Sequence, residues 1–136
     1  MLDEGPIPVA SDADLVLARQ AGRRLAQELG FSSTDITLIA TAISEVARNI
    51  IQYAGAGEII LDTIDEDRRV GILVIARDKG PGIDDIALAI RDGYTTGKGM
   101  GLGLPGSRRL MDEFDIDSEP DQGTTIVMKK WLPYRG

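Results

Sequence analysis

The chain of 136 residues contains no histidine and no cysteine. Their absence excludes a Ser-His-Asp or Cys-His triad, a Cys/His zinc site, a thiol redox pair, a disulfide and phosphorylation on histidine within this chain. Any chemistry must use carboxylates, amides, hydroxyls, lysine or a borrowed ion. Basic residues are in the minority, with 15 Lys+Arg against 22 Asp+Glu and a net charge of -7. That balance argues against a nucleic-acid backbone or an anionic membrane surface as the main partner. No apolar run approaches the roughly 20 residues needed to span a bilayer, and Met1 to Ala10 is too short and too polar for a signal peptide. A cytoplasmic protein is expected, with neither nucleic acid nor a membrane as partner.

What is present suffices for a core. Apolar residues make up 43% and charged residues 27%, which suits one globular domain over residues 1–136. Glycine is unevenly placed. Of the 16 glycines only Gly5, Gly22 and Gly30 precede position 55, whereas six fall between Gly93 and Gly106. The first part of the chain reads as helices. Ser11 followed three residues later by Asp14 makes a capping-box-like start, and the run from Leu15 to Leu29 ends at Gly30, a natural C-cap. Ser32 and Asp35 repeat the start signal. Ile36, Ile39, Ile43, Val46 and Ile50 then recur at spacings of three and four, drawing one apolar stripe along a helix that runs to about Ala54.

The later part reads as strands around a glycine-rich interruption. Glu58 to Ile64 and Val70 to Arg77 form one expected antiparallel hairpin around Asp65-Glu66-Asp67-Arg68, and Phe114 to Ser118 with Thr124 to Trp131 form a second around Pro120 to Gly123. Between them Asp84 to Arg91 reads as a short helix, and Pro105 opens another that continues from Ser107 to Phe114. Helices and strands are segregated rather than alternating. The expected class is therefore α+β, a two-layer sandwich with a mainly antiparallel sheet and helices on one face.

Four segments carry chemistry. Glu45 and Asn49 are four apart and share a helix face with Arg48 and Gln52 beside them, opposite the isoleucine stripe. A carboxylate there can accept a proton, and an amide oxygen one turn away can ligate a hard cation such as Mg²⁺; a plain solvated face is the competing reading. Asp78-Lys79-Gly80-Pro81-Gly82 follows an apolar strand, putting a carboxylate at a strand end with glycines that let a flat ligand approach. Such a carboxylate can accept from an exocyclic amine; an ordinary turn is the alternative.

The third segment runs from Gly97 to Gly106. Gly101 to Gly106 fits G-x-G-x-x-G, yet no hydrophobic strand precedes it and only 30 residues follow, too few for the rest of a dinucleotide fold. A Walker loop fails too, since Gly97-Lys98 is followed by Gly99 and Asp92 stands where the first glycine belongs. A glycine loop feeding a helix N-terminus still offers free N–H groups to phosphate, and Lys98 adds a positive charge. Gly123-Thr124-Thr125, opening the last strand, is the fourth segment.

In this order and at these separations the segments resemble the nucleotide-binding boxes of the GHKL superfamily, shared by gyrase, Hsp90, MutL and histidine kinases, over roughly residues 32 to 131. The resemblance implies the Bergerat two-layer sandwich. It implies Glu45 as general base, Asn49 as the side-chain ligand of Mg²⁺, and Asp78 as the adenine-binding carboxylate, with Gly80 and Gly82 beside it and Thr124 joining through water. It further implies that Gly97, Lys98, Gly99, Gly101 and Gly103 belong to an ATP lid, Lys98 being a phosphate contact.

A stand-alone domain without histidine resembles the bacterial serine/threonine protein kinases that switch stress and sporulation sigma factors, and the stretch Asp92 to Phe114 resembles the stressosome switch kinases among them. That group phosphorylates STAS-domain scaffold proteins from ATP with Mg²⁺ and, when released, activates a PP2C-type phosphatase. Two other outputs remain in view: an anti-sigma factor that is secondarily a kinase, and a nucleotide-gated docking module without transfer.

Overall fold

Ser11 and Asp14 open the first helix as their spacing predicts. In the computed structural model, which describes residues 5–80, 110–119 and 122–133, α1 spans Asp12–Leu29. The Ser11 hydroxyl accepts the Asp14 N–H at 3.2 Å, while the Asp14 carboxylate accepts the Ala10 N–H at 2.9 Å, so two donors at the helix entrance are satisfied reciprocally. Gly30 closes the helix in the left-handed region at φ 96, and the Phe31 N–H reaches back to the Ala26 carbonyl. Ser32 caps α2 (Ser33–Asn49) through the Asp35 N–H at 3.1 Å.

The isoleucine stripe of α2 is the centre of the core: Ile39, Ile43 and Val46 are fully buried, with Ile36 and Ile50 nearly so. The helix does continue to Ala54, but not as one regular element. From Ile50 to Ala54 it widens into a π-helix, closed by a hydrogen bond from the Gly55 N–H to the Ile50 carbonyl.

Among the described residues the sheet has five strands, all antiparallel, in the order β1-β2-β3-β5-β4. These are β1 (Ile7–Val9), β2 (Gly57–Glu66), β3 (Arg69–Asp78), β4 (Glu113–Glu119) and β5 (Gly123–Trp131). Strand β1 was not expected from sequence. Three residues with Pro8 in the middle give no periodicity, and proline is tolerated there because β1 lies at the sheet edge. The first hairpin is tighter than the sequence suggests, since only Asp67 and Arg68 form the turn, both with positive φ (52 and 67), as a two-residue type I′ loop requires.

The helix expected to run from Ser107 to Phe114 ends earlier. Leu110 is helical, and β4 begins at Glu113. Sheet bonding overrides the helical pattern here: the Asp112 N–H donates to the Lys129 carbonyl, the Asp112 carboxylate accepts the Trp131 N–H at 2.8 Å, and Phe114 pairs with Met128. Lys130 Nζ donates to the Leu110 carbonyl at 3.1 Å and closes that helix end. The expected helix from Asp84 to Arg91, the start of the next helix at Pro105, and Pro120 and Asp121 of the second turn lie outside the described residues.

Both helices pack on one face of the sheet. Ile59, Ala76 and Ile126 form one cross-strand row beneath them, and Leu61, Val74 and Met128 the next. On the other face Ile60, Leu73, Ile75 and Val127 are half-buried among paired charges, and Arg69 stacks over the Trp131 ring at 4.1 Å. Among the described residues no helix is long and apolar enough to cross a membrane.

Candidate functional site

The helix-facing rows turn polar at one end of the sheet. Val9, Gly57, Asp78, Thr124 and Ser118 stand opposite one another in sequence across all five strands. Asp78 is the last residue of β3, and its Oδ1 accepts the Gly80 N–H at 2.9 Å, so Oδ2 is the oxygen that a ligand would meet. Thr124 faces it from β5, and the Thr124 hydroxyl lies 2.9 Å from the Ser118 hydroxyl of β4.

The backbone around Asp78 is packed too closely for side chains. A Cβ at Gly123, which has φ 101, would overlap the Asp78 carbonyl oxygen. A Cβ at Gly80 would stand 2.5 Å from Ala54 Cβ, which brings the end of the π-helix against the Asp78 turn. Ile50, the first residue of that π-helix, lies under Gly57 in the same way.

Glu45 and Asn49 occupy the last turn of α2, both half-buried, with Asn49 at the junction where the α-helix becomes a π-helix. Glu45 Oε1 is 3.5 Å from Arg48 Nη1, an ion pair open to solvent and of small energetic weight. Ser44, next to it, is buried and donates to the Ala40 carbonyl. Among the described residues no group of three or more acidic side chains is gathered as a metal cage. A hard cation held by one side-chain oxygen and by the phosphates of a nucleotide fits this donor set, which is how Mg²⁺ is commonly bound.

The structure thus brings Asp78, Gly80 and Thr124 together, and it keeps Glu45 and Asn49 on one helix face whose continuation packs on Gly80. Gly82, Gly97, Lys98, Gly99, Gly101 and Gly103 lie outside the described residues. An open cleft of about 700 Å³ lies at the same end of the sheet, lined by Gly57, Glu58, Arg77, Asp78, Lys79 and Thr125 among others. Glu58, Arg77 and Thr125 belong to the row facing away from the helices, and Arg77 is ion-paired with Glu58 across it. The cleft is thus lined from both rows at this sheet end, and β5 contributes Thr125 rather than Thr124 to it.

Ser118 and the π-helix were not singled out from the sequence. Serine is common near turns, and only the strand register reveals that Ser118 shares a row with Asp78. The π turn has no composition signal, since Ile50 continues the same apolar stripe.

Residues 34–135 match the family described as histidine kinase-, DNA gyrase B-, and HSP90-like ATPase, and the chain belongs to that family. It is 47% identical over 132 residues to the serine/threonine-protein kinase RsbT of Bacillus subtilis, a match covering 97% of this chain and 99% of that protein. It is 32% identical over 121 residues to an anti-sigma F factor of Caldanaerobacter subterraneus, covering 85% of this chain and 83% of that one.

Among solved structures, the RsbU and RsbW domains of Rv1364c from Mycobacterium tuberculosis superpose with a TM-score of 0.62 at 22% identity, covering 96% of this chain and 34% of that chain. A chain of the SiaB-SiaC complex from Pseudomonas aeruginosa gives 0.59 at 14% identity, covering 96% and 91%. At those identities the likeness concerns the fold.

Proposed function

We propose that this chain is an ATP-dependent serine/threonine protein kinase of the partner-switching type, a single domain over residues 1–136. The observation that carries this reading is the near full-length similarity, at 47% identity, to the serine/threonine-protein kinase RsbT. The polar row at Asp78 supports it from the side of geometry. Its substrates are STAS-domain regulators, and in its released state it activates a PP2C-type phosphatase. ATP as the phosphate donor implies a cytoplasmic setting.

Phosphoryl transfer needs positioning and charge neutralisation more than covalent participation by the protein. Asp78 Oδ2 accepts the adenine amine, with Thr124 beside it. Glu45 accepts the proton of the acceptor hydroxyl as its oxygen bonds to the γ-phosphorus and the bond from that phosphorus to the β–γ bridging oxygen breaks, releasing ADP. Asn49 is the residue that would hold Mg²⁺, and the ion would neutralise phosphate charge when bound. Lys98 and the glycine loop from Gly97 to Gly103 supply further donors to the phosphates.

The test is incubation with γ-labelled ATP, Mg²⁺ and a purified STAS-domain protein from the same organism, followed by phosphoamino-acid analysis. Labelled serine or threonine on the STAS protein is the expected result. Nucleotide binding with no label transferred would instead make the chain a nucleotide-gated docking module. The 32% identity to an anti-sigma F factor favours one other output, sequestration of a sigma subunit, which co-purification with that subunit would reveal.

A further inference from the structure

The sheet face turned away from the helices carries an apolar strip of its own. Ile60, Ile75 and Val127 stand side by side on β2, β3 and β5, and Leu73 lies one row further along β3. All four are half-buried, yet none belongs to the core that the helices build on the opposite face. One end of the strip is closed. There Lys129 Nζ reaches Glu66 at 3.6 Å and Glu113 at 3.9 Å, and Arg69 lies over the Trp131 ring at 4.1 Å. Along the two sides charge is left over. Asp62 on β2 and Asp115 and Asp117 on β4 are exposed, and among the described residues none of the three is in an ion pair. Asp62 Oδ1 accepts the neighbouring Thr63 N–H at 2.7 Å, a bond that leaves its charge unmatched. The cations of the outer rows are already engaged, Arg69 by the Trp131 ring, Lys129 by two glutamates and Arg77 by Glu58.

We propose that this face docks an amphipathic α-helix of a partner protein, one whose apolar stripe is flanked on both sides by lysine or arginine. Width and charge select that occupant. β2 and β4 are separated by three strand spacings, about 14 Å, and an α-helix with its side chains is about 10–12 Å across. One helix laid along β3 and β5 therefore covers the strip and carries its flanks over Asp62 on one side and over Asp115 and Asp117 on the other. Basic flanks match those carboxylates, whereas acidic flanks are repelled by them, so the same groups attract one class of helix and reject the other. A second copy of this chain is disfavoured on that ground. The strip has an acidic strand on each side, so either way of turning one copy over the other sets carboxylates against carboxylates, in a chain already at -7. Asp78 belongs to the opposite, helix-facing row, so the docked helix and a nucleotide occupy different sides of the sheet.

The experiment titrates the isotope-labelled full chain with designed helical peptides of about 18 residues, roughly 27 Å long. One has a leucine stripe flanked by lysines, a second has the same stripe flanked by glutamates, and a third is a scrambled form of the first with its charge but no stripe. The lysine-flanked peptide should move the amide resonances of β3 and β5 around Ile75 and Val127, and by calorimetry should bind at least about tenfold more tightly than the other two. In the double variant Asp62→Lys, Asp115→Lys that preference should reverse in favour of the glutamate-flanked peptide, and Val127→Thr should weaken either peptide. ATP affinity, measured on the same samples, should not change. Equal binding of the scrambled peptide, an unreversed preference in the double variant, shifts confined to α1 and α2, or no binding would each overturn the proposal. Sedimentation showing a wild-type dimer that keeps the lysine-flanked peptide off this face would give the surface to a second copy and overturn it too.

Discussion

Asp78 and Thr124 stand directly opposite each other on neighbouring antiparallel strands, at the point where the helix-facing rows pass from apolar to polar. Side chains so placed have Cβ atoms about 5 Å apart, close enough to meet one small ligand group together. The first prediction concerns this pair. In Asp78→Asn the amide oxygen can still hold the Gly80 N–H, so the turn and the melting temperature should persist. Loss of the charged acceptor should weaken ATP binding by about tenfold or more, as measured by calorimetry. Unchanged affinity would contradict the adenine assignment.

Glu45 is half-buried, and among the described residues its ion pair is the solvent-open one with Arg48, so little of the described fold rests on it. Glu45→Ala should lower phosphoryl transfer by roughly 10²- to 10⁴-fold while ATP affinity stays within about twofold. Single-turnover transfer to a STAS protein, with binding measured in parallel, separates the two quantities. Near wild-type transfer would remove Glu45 from the base role.

Asn49 provides the third prediction. A chain with a net charge of -7 repels an anionic nucleotide unless a cation intervenes, so wild-type affinity should fall when Mg²⁺ is chelated. In Asn49→Ala that dependence should largely disappear. Titrations with Mg²⁺ and with chelator check both statements, and an Asn49→Ala protein that keeps the full Mg²⁺ effect would exclude the residue as ligand.

Gly123 combines a left-handed backbone with a contact too close for any side chain. Gly123→Ala should cost about 2–3 kcal/mol of stability. For a domain of this size that lowers the melting temperature by about 6–10 °C. Because the displaced neighbour is the Asp78 backbone, ATP affinity should fall as well, so a destabilised variant with intact binding would show the two to be independent.

The turn at Asp67-Arg68 makes the opposite prediction. Arg68 adopts φ 67 at a position where glycine is at no disadvantage. Arg68→Gly should raise stability by about 0.5–1 kcal/mol, or about 2–4 °C in a thermal melt, without changing nucleotide binding. A lower melting temperature would show that the Arg68 side chain contributes more than its backbone costs.

Local chemistry made much of this fold legible before any coordinates. Ser11, Gly30 and Ser32 bracket the helices because capping depends on residues within one turn of each other, and the stripe from Ile36 to Ile50 is buried because period alone fixes a helix face. Asp78, Asn49 and Glu45 were legible as candidates from their residue types and spacing. The exceptions depend on partners distant in sequence. β1 exists because Ile7 and Val9 find β2, Glu113 is a strand residue because Asp112 bonds to β5 and Phe114 pairs with it, and strand register is what sets Ser118 beside Thr124. The π-helix falls in the same group: its extra residue per turn answers the packing of Ile50 and Ala54 against Gly57 and Gly80, which no local pattern encodes.

Strand order has a consequence for the newly made chain. β5 is the latest of the five strands to be synthesised, yet it lies inside the sheet, between β3 and β4. Until it arrives, β3 presents a bare edge, β4 has no neighbour, and the positions of Asp78 and Ser118 are unconnected. The row that runs from Gly57 through Asp78 to Ser118 is complete only when Thr124 is inserted between Asp78 and Ser118. A translation product interrupted before β5 would carry the helix bearing Glu45 without Thr124 beside Asp78.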